Sequence, residues 1–174
     1  MTAKWTDFVA GAVLTAAQLN DVLDNFQDIA IFNETQASGT QGGASVASTW
    51  TKRTLNTTLV NNITGASIAA SVITLPAGSY IISASAPCYE SNAFKIRLQN
   101  TSDATTAIIG TSEYDGSSAV ATRTFLNGIV TIAATKNFEL QHWVQTARAN
   151  LGFGYPTTAG VSEIYSTIQI TKVA

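Results

Sequence analysis

Apolar and polar residues follow two different periodicities along the chain. Between residues 19 and 30, apolar residues recur every three or four positions with aspartates between them, which is the spacing of one face of an α-helix. From residue 50 onward the alternation is residue by residue: Phe94, Ile96 and Leu98, for example, are separated by Lys95 and Arg97. Such alternation is typical of a β-strand with one buried face. The chain is therefore predicted to be mainly β, with a short N-terminal α-helix.

The predicted helix covers residues 15–32. Thr15 and Gln18 have the spacing of a capping box, which stabilises a helix N-terminus. Aspartates fall between the apolar positions, so the helix has one wet face and one apolar face. A helix this short cannot bury its apolar face alone, and we expect it to pack against another copy of the chain or another protein. The apolar face consists of Leu19, Val22, Leu23, Phe26, Ile29 and Ala30.

The β prediction begins after a stretch of small residues. Residues 37–48 have the composition of a flexible linker, which divides the chain into a helical segment at residues 1–36, a linker at 37–48 and a β domain at 49–174. Turn-forming residues separate the apolar runs, and this spacing favours an antiparallel sandwich or jelly roll. The predicted strands are Trp50–Leu55, Thr58–Asn61, Ala69–Leu75, Tyr80–Cys88, Ala93–Asn100, Thr105–Ser112, Ala119–Ala133, Asn137–Thr146 and Glu163–Lys172.

Composition narrows the classes of function. Charged residues make up 11% of the chain, against about 25% in an average soluble domain, while 25 Thr, 15 Ser and 11 Asn supply polar, uncharged side chains. The net charge of −2 includes no basic stripe, which argues against a nucleic-acid partner. The first eight residues lack the features of a signal peptide, and no apolar run reaches the ~18 residues that span a bilayer, so no membrane insertion is expected. Cys88 is the only cysteine, which rules out an intrachain disulfide.

Two stretches of the chain contain motifs in a distinctive order. Residues from Trp5 through Phe26, with Leu-Thr-Ala-Ala-Gln-Leu-Asn at 14–20 before an Asp-rich helix, resemble the N-terminal segment of phage tail-fibre and minor tail proteins. A second set of motifs consists of Arg53–Thr57, Ile73–Tyr80, Gly110–Tyr114, Phe138–His142 and Gly152–Gly154. This set is similar to a C-terminal module of phage fibre proteins, a jelly roll of the tumour-necrosis-factor and complement-head kind. Since such domains are usually trimeric, the resemblance implies a homotrimer with the helices gathered at one end.

The resemblance implies a non-enzymatic structural protein of the virion, assembled in the cytoplasm of the bacterial host. The N-terminal segment would attach the protein to other virion proteins of the tail or capsid. One hypothesis is a tail fibre or receptor-binding protein that contacts a host surface glycan or protein. The alternative is a capsid decoration protein or head fibre, because the chain has no long repetitive shaft; a polysaccharide-degrading enzyme is a third, disfavoured alternative. Attachment is predicted to involve Trp5, Phe8, Leu19, Leu23 and Phe26.

Residues that could carry chemistry are few. His142 lies on the same strand parity as the apolar residues before it, so we expect a buried histidine rather than a catalytic partner of Cys88, which we also expect to be buried. Glu113 and Asp115 are candidates for a carboxylate pair, and with Asp103 for a hard cation, but solvated loop acids are the favoured interpretation. No catalytic residue, cofactor or metal is predicted.

Aromatic residues give a weaker signal. Tyr89, Tyr114, Trp143 and Tyr155 are predicted in loops or at outward strand positions, with polar neighbours that could hold a sugar ring. The favoured alternative is packing at a subunit interface, where Tyr and Trp are enriched.

Overall fold

The computed structural model describes residues 11, 13, 15–17, 19–20, 28–116 and 119–173. In this part of the chain, twelve strands form two antiparallel sheets packed face to face. The strands are β1 (Ile29–Gln36), β2 (Thr51–Lys52), β3 (Thr57–Asn61), β4 (Ser67–Ala69), β5 (Val72–Leu75), β6 (Gly78–Tyr89), β7 (Ala93–Asn100), β8 (Thr105–Ile109), β9 (Glu113–Tyr114), β10 (Ala121–Ile132), β11 (Lys136–Val144) and β12 (Glu163–Lys172).

The strand order confirms the predicted antiparallel sandwich of the jelly-roll kind. Sheet I has the order β10-β6-β12-β1-β3. Sheet II has the order β4-β5-β11-β7-β8, with β2 added to β11 and β9 added to β7. The longest pairing is that of β6 with β10, which runs in register from Tyr89 opposite Ala121 to Gly78 opposite Ile132.

The core lies between the two sheets. On β7, Phe94, Ile96 and Leu98 are buried while Lys95 and Arg97 lie on the outer face, as the alternation predicts. Each large apolar side chain that is fully buried contributes roughly 1.5–3 kcal/mol. The largest apolar side chains that are fully buried are those of Tyr80, Phe32, Phe94, Phe138, Ile73, Leu75, Ile82, Ile96, Leu98, Leu126 and Leu140.

The sandwich has two distinct ends. At the terminal end, β1 begins and β12 ends side by side: Ile29 is opposite Thr171, and Lys172 N donates a hydrogen bond to Asp28 O at 2.9 Å. The opposite end, the loop end, carries the connecting residues 37–50, 90–92, 115–116, 119–120 and 145–162. Whatever precedes residue 28 therefore joins the sandwich on the side away from these loops.

The prediction of a helix over residues 15–32 is wrong for residues 29–32, which begin β1. Strands on both sides supply backbone partners for β1, since Phe32 is opposite both Ile168 and Thr58, and this pairing overrides the local helical spacing. No helix is delimited in the described residues, although residues 16, 17, 19 and 20 have helical backbone and Leu19 N bonds Thr15 O at 3.1 Å. Residues 18 and 21–27 of the predicted helix lie outside the described residues.

The predicted flexible linker and the boundary near residue 48 are also corrected. The sandwich begins at residue 29, and residues 42–47 run along the segment 144–154. Gly42 N donates to Gly154 O at 3.0 Å, and Ser45 N donates to Arg148 O at 3.0 Å. A Cβ atom on Gly42 would lie 2.6 Å from the carbonyl carbon of Phe153. The small residues of this stretch therefore permit close packing.

Candidate interaction surfaces

A buried ion pair supports the loop end. The side chain of Arg53 is completely buried, and its Nη2 donates to Glu34 Oε2 at 2.8 Å and to Phe153 O at 2.8 Å. Its Nε donates to Ser166 Oγ at 2.7 Å, and the Ser166 hydroxyl donates to Glu34 Oε2 at 3.0 Å. Burial lowers the pKa of Arg53, and the negative charge of Glu34 opposes this shift. The pair thus ties β1, β12 and the 145–162 loop together.

His142 is buried, as predicted, and it lies beside this ion pair. Its ring stacks on Phe153, with centroids 5.4 Å apart, and lies 5.6 Å from the ring of Phe94. Neither imidazole nitrogen has a hydrogen-bond partner among the described residues. Burial, together with the positive charge of Arg53, holds the pKa of His142 well below its usual value. The histidine is therefore neutral near pH 7.

Cys88 is buried, as predicted, and is not hydrogen-bonded to His142. Its Sγ donates to the carbonyl oxygen of Gly152 at 3.3 Å. Burial raises the pKa of the Cys88 thiol to about 11. A thiol in this state is protonated near pH 7 and is a poor nucleophile.

The three acidic candidates do not form one group. Asp115 is buried, and its Oδ1 accepts a hydrogen bond from Ser91 N at 2.9 Å, so the expectation of a solvated loop acid is wrong for this residue. Burial raises the pKa of Asp115. Asp103 lies at the terminal end, where it pairs with Lys136 at 2.6 Å, whereas Glu113 lies in β9 near the loop end. Within the described residues, no three or more His, Cys, Asp or Glu side chains are grouped so that they could hold a metal.

Two of the four candidate aromatic residues meet at the loop end. The ring centroids of Tyr89 and Tyr155 are 4.9 Å apart, and the planes are tilted by 38°. Beside them, Arg148 Nη2 lies 3.4 Å from Glu90 Oε2. Desolvation raises the pKa of Tyr89, and the negative charge of Glu90 acts in the same direction. The loop end therefore presents an aromatic pair next to an ion pair.

The other two aromatic residues lie on the outer face of sheet II. Trp143 on β11 is opposite Lys95 on β7, and Tyr114 on β9 is opposite Ala93. Tyr114 is 68% exposed. Sequence reasoning grouped these residues with Tyr89 and Tyr155, but the structure separates them into two pairs. Binding by any of the four stays a prediction.

The outer face of sheet I carries an apolar patch that the sequence analysis missed. Ile81 and Ile129 are opposite each other on β6 and β10, and both are exposed, Ile129 to 68%. Phe125, four residues before Ile129 on β10, is exposed as well. Doubled apolar residues at 81–82 and 129–130 interrupt the alternation and would have indicated two apolar faces. A depression of about 180 Å³ beside the patch is lined by Ser83, Ala84, Ser85, Phe125, Thr167 and Gln169.

The five predicted attachment residues all precede the first strand, β1. Trp5, Phe8, Leu23 and Phe26 lie outside the described residues, and Leu19 is exposed. Their attachment role stays a prediction.

No described helix is long and apolar enough to cross a membrane.

Known structures share this fold. The fold is a jelly roll of the tumour-necrosis-factor and complement-head kind. The globular domain of zebrafish complement 1qA protein matches with a TM-score of 0.55 and 11% identity over 83% of this chain and 98% of that chain. Murine APRIL matches with a TM-score of 0.52 and 9% identity over 83% and 99% of the two chains. The PRD1 vertex protein P5 matches with a TM-score of 0.50 and 16% identity over 85% and 98%. No family model matches the chain, and none of the curated proteins is significantly similar to it.

Proposed function

We propose that the protein is a structural protein of the bacteriophage virion surface, that it acts by binding rather than by catalysis, and that it assembles as a homotrimer. The resemblance of residues 5–26 to phage tail proteins supports this proposal, and so does the likeness of the fold to the PRD1 vertex protein P5. The observation that carries the proposal is that the chain enters the sandwich at the terminal end, while the longest connections lie at the opposite end. Residues before position 28 attach the protein at the terminal end, and the loop end projects away from the particle.

The apolar patch on sheet I supports self-association. Ile81, Phe125 and Ile129 present large side chains to solvent on two adjacent strands of one monomer. Large apolar side chains exposed on one face of a sheet mark an interaction site, because burying them stabilises an assembly by about 25 cal/mol per Å² of apolar surface. A second copy of the chain is the partner that is always present when the protein is made.

Mass measurement tests the trimer. The wild-type protein is expected to elute at three times the mass of one chain in size-exclusion chromatography with light scattering. Ile129→Asp is expected to give the monomer, because a carboxylate would be buried unpaired in the interface. Leu59→Asp is the matched control: Leu59 is also exposed, but it lies on β3 at the far edge of sheet I, so this variant stays trimeric. A monomeric wild type would refute the assembly.

We favour a tail fibre or receptor-binding protein over the alternatives. Tyr89 and Tyr155 support this version, because the half-buried Tyr89 and the exposed Tyr155 pack together at the end opposite the proposed attachment. The alternative, a capsid decoration protein or head fibre, is supported by the name of the PRD1 vertex protein, to which the fold is similar.

Position on the particle distinguishes the two versions. Purified phage particles would be labelled with an antibody against the β sandwich and viewed by electron microscopy. Label at the tail tip is expected for a receptor-binding protein, and label over the shell for a decoration protein or head fibre. Particles without label would contradict a role in the virion.

A further inference from the structure

We propose that the outer face of sheet II binds an anionic saccharide at a site formed by Lys95 and Arg97 with Trp143 and Tyr114. We refer to these four residues as the sheet II face. The inference rests on the receptor-binding version of the proposed function and names the chemical class of its ligand.

Two uncompensated positive charges lie side by side on this face. Lys95 and Arg97 are two residues apart on β7, so their side chains leave the same side of the strand about 6.6 Å apart along it. Neither side chain forms a salt bridge within the described residues. The acid of this face, Glu139, lies 3.7 Å from Lys52 instead. A net charge of about +2 therefore faces solvent here in a chain whose net charge is −2.

The guanidinium of Arg97 is held in place by its neighbours. Its Nε and Nη2 donate to Gln141 Oε1 at 2.9 and 2.8 Å, and its Nη1 donates to Thr106 Oγ1 at 3.1 Å. Its Cζ lies 4.3 Å from the ring centroid of Trp50. The Gln141 amide is fixed in turn by donating to Glu139 Oε2 at 2.7 Å. A cation that is already ordered loses little conformational entropy when it binds an anion.

Two aromatic residues flank Lys95 on the neighbouring strands. Trp143 is directly opposite Lys95 across the β7–β11 pair, a position where Cβ atoms are about 5 Å apart. Tyr114 is opposite Ala93 and therefore diagonal to Lys95, at about 7–8 Å. Both distances are within reach of aromatic side chains. Large aromatic faces pack against the apolar face of a sugar ring, while the cations bind a carboxylate or phosphate group on it.

The arrangement favours an anionic saccharide over other polyanions. Nucleic acid is bound by a wide basic surface that neutralises many phosphates, whereas this face offers two cations without a salt bridge. A neutral sugar would leave both cations without a counter-charge. The combination of aromatic rings with a small number of placed charged groups fits one or two acidic sugar units.

Affinity electrophoresis of the full-length protein tests the proposal. The gels would contain polygalacturonate as a carboxylated probe, phosphomannan as a phosphorylated probe, or dextran as a neutral probe. The wild-type protein is expected to be retarded by at least one anionic polymer and not by dextran, and added salt is expected to reduce the retardation. Absence of retardation by both anionic polymers, or equal retardation by dextran, would overturn the proposal.

Variants locate the binding on the sheet II face. Lys95→Gln and Trp143→Ala are each expected to weaken the apparent affinity roughly tenfold, which corresponds to ~1.4 kcal/mol. Lys136→Gln is the matched control, because it removes one positive charge at the terminal end, and it is expected to bind like the wild type. Thermal unfolding of each variant checks folding, and Lys95→Gln keeps the test decisive if Trp143→Ala unfolds. Unchanged binding by Lys95→Gln, or an equal loss in Lys136→Gln, would refute the site. The antibody label on particles is an independent readout, so failure here is distinguishable from failure of the virion role.

Discussion

Removing the acid of the buried ion pair is expected to be one of the most destabilising single changes in the protein. In Glu34→Leu, the positive charge of Arg53 stays in the core without a counter-charge. Arg53 keeps neutral acceptors, Phe153 O at 2.8 Å and Ser166 Oγ at 2.7 Å, but these do not neutralise it.

The expected magnitude follows from that geometry. Breaking a fully buried ion pair by removal of one partner costs about 3–5 kcal/mol, because the remaining charge is desolvated and unpaired. The remaining neutral hydrogen bonds place Glu34→Leu toward the lower part of this range. Replacing both partners, as in Glu34→Leu with Arg53→Met, removes the unpaired charge, and the double variant is expected to recover most of the loss.

Urea denaturation at pH 7 measures these differences in the free energy of unfolding. The protein concentration must be the same for all variants, because self-association makes the midpoint depend on concentration. Lys136→Met serves as the control: Lys136 and Asp103 form an exposed pair, so the expected loss is below about 1 kcal/mol. A loss below ~1 kcal/mol for Glu34→Leu, or a double variant no more stable than the single one, would refute the reasoning.

Three further predictions concern acid stability and the N-terminal segment. Since the folded state lowers the pKa of His142, stability should fall as the pH drops below about 6.5, and thermal unfolding of His142→Phe should show a flatter pH dependence between pH 6.5 and 4.5. The Glu163 carboxylate accepts hydrogen bonds from Gly39 N, Thr157 N and Oγ1, and Thr158 N, which hold its pKa at about 2, below its ordinary 4.5. Its contribution is therefore present above pH 4.5 and lost as the pH falls toward 2, so the difference in thermal midpoint between wild type and Glu163→Gln should shrink over that interval. Deletion of residues 1–27 should leave a folded sandwich by circular dichroism that no longer joins phage particles; incorporation of the truncated protein would contradict attachment through this segment.

The strands were predictable where burial alternates. On β7 and β11 one face is core and the other is wet, so the sequence pattern of Phe94 to Leu98 reports the structure directly. The pattern fails at Ile29 and Phe32, whose strand conformation depends on partners more than 130 residues away in β12. Gly42 and Ser45, within the stretch of linker composition, are buried against the 144–154 segment, and composition alone does not distinguish small residues that pack closely from a flexible linker.

The candidate sites were harder to predict from the sequence, because they depend on contacts between residues that are distant in the sequence. Arg53 and Glu34 are 19 positions apart in the sequence. They meet only because Glu34 on β1 and Arg53, directly after β2, both lie in the interior between the two sheets. The burial of Asp115 depends on a hydrogen bond from Ser91 across two loops. Trp143 and Tyr114 were identified as exposed aromatic residues, but their common face with Lys95 depends on the registers of β7 with β9 and β11, which local patterns do not specify.

The adjacency of Ile29 and Thr171 has a consequence for protein engineering. Neighbouring antiparallel strands are about 4.8 Å apart, so a linker of a few residues could join the two natural ends of the sandwich. A circular permutant could then be opened within residues 145–162, and both new chain ends would lie at the loop end. A cargo domain fused to such a permutant would leave the sandwich at the loop end instead of the terminal end. Because β1 begins and β12 ends side by side, the sandwich could also be inserted into another protein as one unit, with both connections at the terminal end.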